Sequence, residues 1–109
     1  MKKWKISYLA STGKKNSVEK WLDELTTDQL KSVAKELRLL ELCGNDLKMP
    51  HSRAMSKGLF ELRERRYGYR IYYGFDRGEI IILLTAGDKT TQKRDIEMAY
   101  MLLASITKQ

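Results

Sequence analysis

Apolar and polar residues alternate with two different periods along the chain. Near the amino terminus, Trp4, Ile6 and Tyr8 alternate with polar residues, which predicts a short strand with one buried face. Between Asn16 and Cys43 the apolar residues recur at helical spacing, and between Leu59 and Thr85 they alternate or run together as in strands. Helical spacing then returns over the last segment.

Two helices separated by a short turn are predicted before Gly44, after a polar turn at residues 13–15. Asn16 is a suitable N-cap for the first helix, and Thr26 with Gln29 gives the second a capping-box signature. Gly44 can end the second helix because it adopts a left-handed conformation without a Cβ penalty. So short a turn favours an antiparallel hairpin. The stripes expected to be buried are Val18, Trp21, Leu22 and Leu25 in the first helix and Leu30, Val33, Ala34 and Leu37 in the second.

Three strands are predicted after residues 45–57, which have no period, contain Pro50 and are expected to form a loop. The strands are expected over Leu59–Arg65, Tyr69–Phe75 and Glu79–Thr85, with a hairpin between the last two. The third is apolar throughout, as in a strand covered on both faces. A final helix, capped by Thr90 or Thr91, is expected to bury Ile96, Ala99, Leu103 and Ile106.

The predicted order is β-α-α-β-β-β-α, an α+β fold in which an N-terminal helical hairpin and a C-terminal helix pack against an antiparallel sheet. A chain of 109 residues is expected to form one domain over residues 1–109. Its single cysteine, Cys43, cannot form an internal disulfide, which suits a reducing cytosol. No apolar run reaches about 18 residues and no signal-peptide core follows the first lysines, so we expect a cytoplasmic protein without membrane contact.

Basic residues outnumber acidic residues by 21 to 14, a net charge of +7. Such a surplus makes nucleic acid, or an acidic protein, the expected partner. The 18 residues from Arg53 to Arg70 hold six basic and two acidic residues, so this segment carries +4 of the +7. The charge is therefore concentrated on the first two of the three predicted strands and the segment just before them.

Alternation along the strands brings several of these charges to one face of the sheet. When the apolar residues point toward the core, Arg63 and Arg65 point away on one strand, and Arg70 and Tyr72 point away on the next. Guanidinium groups bind phosphate bidentately, and tyrosine rings stack on bases, so an open face of this kind could bind RNA. A solvated strand face, with Arg63 paired to a nearby glutamate, is the other interpretation.

A second group of cations, Lys89, Lys93 and Arg94, precedes and begins the last predicted helix. The helix dipole favours carboxylates at this position, so a bound polyanion would explain the cations. Local neutralisation by Asp88 and Asp95 explains them equally well.

Other chemistry has little support in the sequence. His51 is the only histidine and could transfer protons, but a lone histidine beside Pro50 in a loop is more often incidental. No His, Cys or Asp cluster has metal-ligand spacing, and no phosphate-binding glycine motif is present. We therefore expect neither a metal nor another cofactor.

Several stretches of the sequence resemble the RelE/ParE toxin superfamily, and most closely its HigB-like branch of addiction module killer proteins. They are Leu59-Phe60-Glu61-Leu62-Arg63, Gly68-Tyr69-Arg70-Ile71-Tyr72-Tyr73 and Leu83 to Gln92, followed by Asp95-Ile96. The Gly-Asp-Lys-x-x-Gln-x-x-Asp-Ile run is fairly specific to that branch. The resemblance extends from Trp21 to Ile106.

The resemblance implies a RelE-like fold and a type II toxin that cleaves mRNA on the ribosome without a metal and so inhibits translation. It also implies neutralisation by a cognate antitoxin, usually of the helix-turn-helix type, with operator DNA bound only through the antitoxin complex. Arg70 falls on a phosphate-binding position of RelE-type nucleases, and Lys89 falls where those enzymes have a second cation.

This chain departs from RelE-type nucleases at the positions of their general acid and base. Leu59 and Glu61 stand where those enzymes carry lysines, and Asp95 stands near their C-terminal tyrosine. The expected catalytic residues are Arg63, Arg70 and Lys89 for charge neutralisation, with Glu61 among the candidates for proton transfer beside Lys89, Lys93, Tyr67 and His51. Expected to bind RNA or phosphate are Lys57, Arg65, Arg66, Tyr67, Tyr72, Gln92, Lys93 and Arg94.

Two other functions remain open for a protein of this kind. ParE-type members share the fold but inhibit DNA gyrase without cleaving RNA, and a third possibility is an inactive basic protein that only binds an antitoxin. The presence of both Arg70 and Lys89 favours the nuclease, since a gyrase inhibitor does not need a phosphate-binding pair.

Overall fold

A computed structural model describes residues 4–9 and 16–107, and the predicted turn at residues 13–15 lies outside them. Within these ranges the regular elements are β1 (Lys5–Tyr8), α1 (Ser17–Asp23), α2 (Thr27–Cys43), β2 (Ser52–Ala54), β3 (Phe60–Glu64), β4 (Tyr69–Asp76), β5 (Ile80–Gly87) and α3 (Gln92–Thr107). Single 3-10 turns at Gly44–Asp46 and Lys89–Thr91 follow α2 and precede α3. No helix in this part of the chain is long and apolar enough to span a membrane.

The five strands form one sheet in the order β1-β5-β4-β3-β2. The strands β2 to β5 pair antiparallel, as tight connections require, but β1 pairs parallel with β5. The expectation of an entirely antiparallel sheet is therefore wrong at this edge. Because two helices separate β1 from the next strand, no hairpin fixes its direction.

The strand β2 lies within the segment that was expected to be a loop. It has three residues, too few for a period to show, and it follows Pro50 closely. It pairs antiparallel with β3, so that Arg53 lies opposite Glu61. This pairing adds an arginine to the neighbourhood of β3 that the sequence pattern did not place there.

The helices α1 and α2 cover one face of the sheet and begin as predicted. The Asn16 side chain accepts from Val18 N at 2.7 Å, Thr26 and Gln29 form the capping box, and Gly44 ends α2 with φ of 50°. The buried core on this side is formed by Val18, Val33, Leu40, Leu62, Ile71, Tyr73, Ile81 and Leu83.

The buried stripe of α2 differs from the predicted one. Leu30 is 42% exposed and Ala34 is also exposed, whereas Glu36 and Leu40 are buried. The periodicity of apolar residues missed this rotation because a glutamate occupies one of the buried positions. The Glu36 carboxylate lies 2.9 Å from Nδ1 of His51, which provides the polar partner that burial requires.

The helix α3 covers the opposite face, which the sequence pattern predicted to be open. Leu59, Tyr72, Leu84, Ala99 and Leu103 form a second buried core there, and the expected inward positions of α3 are confirmed. A β-bulge interrupts the pairing of β4 with β5, because Tyr72 lies opposite Thr85 and Tyr73 lies opposite Leu83. The intervening Leu84 and its neighbour Thr85 both face α3, where Thr85 Oγ1 donates to the Asp95 carbonyl at 2.8 Å.

The start of α3 is held tightly against the end of β5. A Cβ atom at Gly87 would collide with Asp95 Oδ2 and Thr91 Oγ1, so this close approach requires glycine. Asp88 caps the 3-10 turn that leads into α3, since its carboxylate accepts from Thr90 N at 2.8 Å, and the Thr91 hydroxyl, just before α3, donates to Asp95 Oδ2 at 2.6 Å. The first turn of α3 is therefore fixed beside the end of β5.

Candidate functional site

A buried carboxylate lies at the centre of the basic region on β3. Glu61 is 1% exposed, on the sheet face where α3 begins. Its Oε2 atom accepts hydrogen bonds from Tyr72 Oη at 3.0 Å and from Gln92 Nε2 at 3.3 Å. Both donors are neutral, so the negative charge of a buried carboxylate still needs positively charged partners.

Three arginine side chains supply that positive charge. Nε of Arg70 lies 3.5 Å from Oε2 of Glu61, while Nε of Arg53 and Nε of Arg63 lie 3.5 Å and 4.0 Å from Oε1. The register explains the convergence, because Glu61 lies opposite Arg53 on β2 and opposite Tyr72 on β4, and Arg63 lies opposite Arg70. We call Arg53, Glu61, Arg63 and Arg70 the arginine cluster.

The arginine cluster carries more positive charge than it neutralises. Three guanidinium groups and one carboxylate leave a formal charge of +2, and the side chains of Arg53, Arg63 and Arg70 are 49%, 31% and 18% exposed. Nε of Arg70 is buried and finds no hydrogen-bond partner among the residues that the structure describes, which is a costly state for a donor. An anion in front of the cluster would be attracted by this charge and could accept hydrogen bonds from it.

Tyr72 belongs to this site as a hydrogen-bond donor rather than as a stacking surface. Its ring is fully buried, so the predicted stacking of a base on Tyr72 is wrong, because α3 covers that face of β4. Burial first, and then the charge of Glu61 and the hydrogen bond to it, raise the pKa of Tyr72 well above its ordinary value of 10.0; the Arg70 charge opposes this shift. The hydroxyl therefore remains protonated and holds Glu61 in place.

Lys89 lies at the margin of the arginine cluster. Arg70 pairs with Gly87 across the sheet, and Lys89 follows two residues later in the exposed turn before α3. Hydrogen bonds from Thr90 hold the pKa of the intervening Asp88 below its ordinary value, and the charge of Arg70 contributes a smaller part. The structure thus brings Arg63, Arg70, Lys89 and the buried Glu61 to one end of the sheet, together with Gln92.

Three other predicted RNA-binding residues lie on α3 and on the turn between β2 and β3. Lys93 is exposed on the first turn of α3, whereas Arg94 lines a groove between α1 and α3 together with Trp21. Lys57 lies in the turn between β2 and β3, beside Tyr100 in the second half of α3. The sequence pattern could not separate these positions because it does not show how α3 crosses the sheet.

The β3–β4 turn carries the remaining predicted residues and faces α2. Arg65 and Arg66 border a polar cavity with Lys31 and Lys35 of α2, and Arg65 also borders a second cavity with Arg63 and Arg70. The Arg66 guanidinium lies 5.1 Å from the centre of the Tyr67 ring.

Glu64 holds this turn in shape. Its buried carboxylate accepts from the backbone N–H groups of Arg66 and Tyr67 at 3.0 Å each, and from Tyr69 at 3.3 Å. Tyr67 stacks on Tyr69 at 5.8 Å, and Tyr69 meets Trp21 edge-on. The two tyrosines therefore form a stacked aromatic edge at the β3–β4 turn.

His51 is directed to α2. Its Nδ1 atom pairs with Glu36 at 2.9 Å, so its ring is engaged away from the cluster, although its backbone carbonyl accepts from Arg63 N at 2.8 Å.

Across residues 4–9 and 16–107, no group of three or more His, Cys, Asp or Glu side chains is arranged to hold a metal ion. Arg53 is the member of the site that sequence reasoning missed, although it was counted in the basic segment.

Comparison with known proteins adds a family to this geometry. The family model described as "Phage derived protein Gp49-like (DUF891)" matches residues 20–103. An uncharacterized protein of Haemophilus influenzae is 43% identical over 51 residues, which cover 46% of this chain and 52% of that protein. The chain thus matches only about half the length of this curated relative.

A solved structure gives the fold a name. The crystal structure of the isolated E. coli RelE toxin superposes with a TM-score of 0.56 at 13% sequence identity, over 86% of this chain and 97% of the RelE chain. At this identity the likeness concerns the fold, and it confirms the predicted RelE-like architecture. The chain therefore belongs to the phage-derived Gp49-like family and has a RelE-like fold.

Proposed function

We propose that this protein is the toxin of a type II toxin–antitoxin module, of the HigB-like branch. It acts in the cytoplasm as a metal-independent, ribosome-associated mRNA endoribonuclease, inhibits translation, and is neutralised by a cognate antitoxin. Membership of the Gp49-like family and the RelE-like fold support a toxin of this superfamily. The arginine cluster supports the nuclease among the activities that such a fold can carry.

The observation that carries the proposal is the excess charge of the arginine cluster. Cleavage of RNA through its 2′-hydroxyl places additional negative charge on the phosphate in the transition state, and cationic donors lower that barrier. Arg70 and Arg63 provide donors fixed by the sheet, and Lys89 provides an exposed cation at the margin. We assign the neutralisation of the phosphate to these three residues.

Proton transfer requires a different group. Both oxygen atoms of Glu61 already face partners, Tyr72, Gln92 and Arg70 at Oε2, and Arg53 and Arg63 at Oε1. Because Glu61 is also only 1% exposed, a ribose hydroxyl cannot come within hydrogen-bond distance of its carboxylate. The exposed lysines at the start of α3, Lys89 and Lys93, are therefore our candidates for this role.

The same charge suggests how the antitoxin neutralises the toxin. An acidic segment of the antitoxin would be attracted to the arginine cluster and would exclude RNA from it. We expect an antitoxin of the helix-turn-helix type, with operator DNA bound through that partner.

Parallel assays with the purified protein test the nuclease against the gyrase alternative. On ribosomes programmed with a short synthetic mRNA, we expect cleavage within the translated codons, and no loss of supercoiling activity when the protein is added to DNA gyrase. Arg70→Ala should abolish cleavage and growth arrest while the variant still binds the antitoxin. Gyrase inhibition with intact mRNA, or a fully toxic Arg70→Ala variant, would refute the assignment.

A further inference from the structure

We propose that the arginine cluster binds two consecutive phosphates of the RNA, with Arg53 holding the phosphate next to the scissile one. In this arrangement Glu61 is a positioning residue, which keeps the three guanidinium groups apart and in place. The inference rests on the proposed function and extends it to a second phosphate and to a residue on β2.

The placement of the arginines around Glu61 indicates two binding positions. Arg70 approaches Oε2 of the carboxylate, whereas Arg53 and Arg63 approach Oε1. Arg53 lies opposite Glu61 and Arg70 lies opposite Arg63, so their backbones are separated by two strand spacings across the sheet and two residues along it, about 12 Å in all. The guanidinium groups thus reach the carboxylate from opposite sides of β3.

The mode of contact leaves the arginines able to bind phosphate. Each meets Glu61 through Nε, at 3.5 Å or 4.0 Å, and none of these contacts is a bidentate fork. Among residues 4–9 and 16–107, the terminal nitrogens make only long contacts, from Arg63 to Met49 Sδ at 3.9 Å and from Arg70 to the Gly68 carbonyl at 3.5 Å. End-on bidentate recognition of phosphate uses the two terminal nitrogens of the guanidinium group.

The charge of the arginine cluster indicates how many phosphates it binds, and the exposure of its arginines indicates the direction of the bound strand. The formal charge of the cluster is +2, and each phosphodiester carries one negative charge. Two phosphates would therefore neutralise the cluster, whereas one would neutralise only half of its charge. Side-chain exposure rises from Arg70 through Arg63 to Arg53, which lies on the edge strand β2. A bound strand would therefore run from the deep arginine across β3 toward the edge of the sheet.

Phosphate substitution in the mRNA tests this arrangement. Ribosomes are programmed with a short synthetic mRNA in which one phosphate at a time, on either side of the cleavage point, is replaced by a neutral methylphosphonate. For the wild type we expect kcat/KM of cleavage to fall about tenfold or more at one flanking position, the size of a lost charge-assisted hydrogen bond. For Arg53→Ala we expect the same loss with the unmodified mRNA, and no further loss at that position.

A matched control is available on the same sheet. Arg77 is exposed in the β4–β5 hairpin, about 20 Å along β4 from Arg70, so Arg77→Ala removes one charge away from the cluster. Arg77→Ala should show the same change in kcat/KM as the wild type at every substituted phosphate. If Arg53→Ala lowers cleavage of all the mRNAs by one common factor, Arg53 contacts no particular phosphate and the inference is overturned. If the wild type cleaves none of them, it is the proposed function that fails.

The role of Glu61 is read from the pH profile of the same reaction. Glu61→Gln keeps an oxygen acceptor for Tyr72 but removes the charge that spaces the arginines. We expect a lower kcat/KM with an unchanged pH profile. In the Glu61→Gln variant, the methylphosphonate at the flanking position and the added Arg53→Ala substitution should each lower kcat/KM by less than they do in the wild type. Loss of the acidic limb of the profile in Glu61→Gln would show that Glu61 transfers the proton, and would overturn its positioning role.

Discussion

Removing the carboxylate of Glu61 should destabilise the fold in two separable parts. Glu61→Ala leaves the hydroxyl of Tyr72, which is fully buried, without its acceptor, at a cost of about 1–3 kcal/mol. It also leaves three arginines without their shared counter-charge. Because these side chains are 18% to 49% exposed, solvent screens the repulsion and we expect about 1 kcal/mol from it.

The conservative substitution isolates the second part. Glu61→Gln retains an acceptor for Tyr72, so only the loss of charge should remain, about 1 kcal/mol against about 3 kcal/mol for Glu61→Ala. For a chain of this size these values correspond to a lower Tm by about 5 °C and about 15 °C. Added salt should reduce the deficit of Glu61→Gln, since salt screens the arginine repulsion.

Urea unfolding followed by tryptophan fluorescence measures both variants, with Arg77→Ala as a control in which little change is expected. Equal losses of stability in Glu61→Ala and Glu61→Gln would refute the division into two parts. Wild-type stability in both variants would show that the carboxylate does not hold the cluster together.

Three further predictions concern the packing around this site. Gly87→Ala should lower the free energy of unfolding by about 2 kcal/mol, because its Cβ would collide with Asp95; an unchanged Tm would contradict this. Ser52→Ala should cost about 1–2 kcal/mol in urea unfolding, because it leaves the buried hydroxyl of Tyr73, now 2.5 Å from Ser52 Oγ, without its partner; Tyr73→Phe in the same background should recover part of the loss. Because folding raises the pKa of Tyr72, the stability that its protonated hydroxyl contributes is complete below pH 10.0 and is lost as the pH rises further. Tyr72→Phe should therefore lose less stability than the wild type at alkaline pH. Equal slopes of unfolding free energy against pH for the two proteins would refute this prediction.

The elements with a regular period could be predicted from sequence, and the arrangement of the site could be predicted only in part. Asn16, Thr26 and Gly44 carry local signals that act through the backbone nearby, and their capping roles are confirmed. The convergence of Arg63 and Arg70 follows from alternation on adjacent strands, which a sequence also shows.

What the sequence could not show depends on contacts between distant segments. Tyr72 was expected on an open face, because no local signal tells which face α3 covers. Arg53 was missed because a three-residue strand is stabilised by pairing with β3 rather than by its own pattern. The buried Glu36 interrupts the apolar period of α2 for the same reason, since its burial depends on His51.

The central claim is that the arginine cluster makes this protein an mRNA endoribonuclease. Mapping of mRNA 5′ ends after brief induction in growing cells tests it most directly, with Arg70→Ala as the matched inactive variant. We predict new 5′ ends inside translated codons for the wild type and none for Arg70→Ala. DNA breaks without new mRNA ends, or identical new ends from both proteins, would contradict the account.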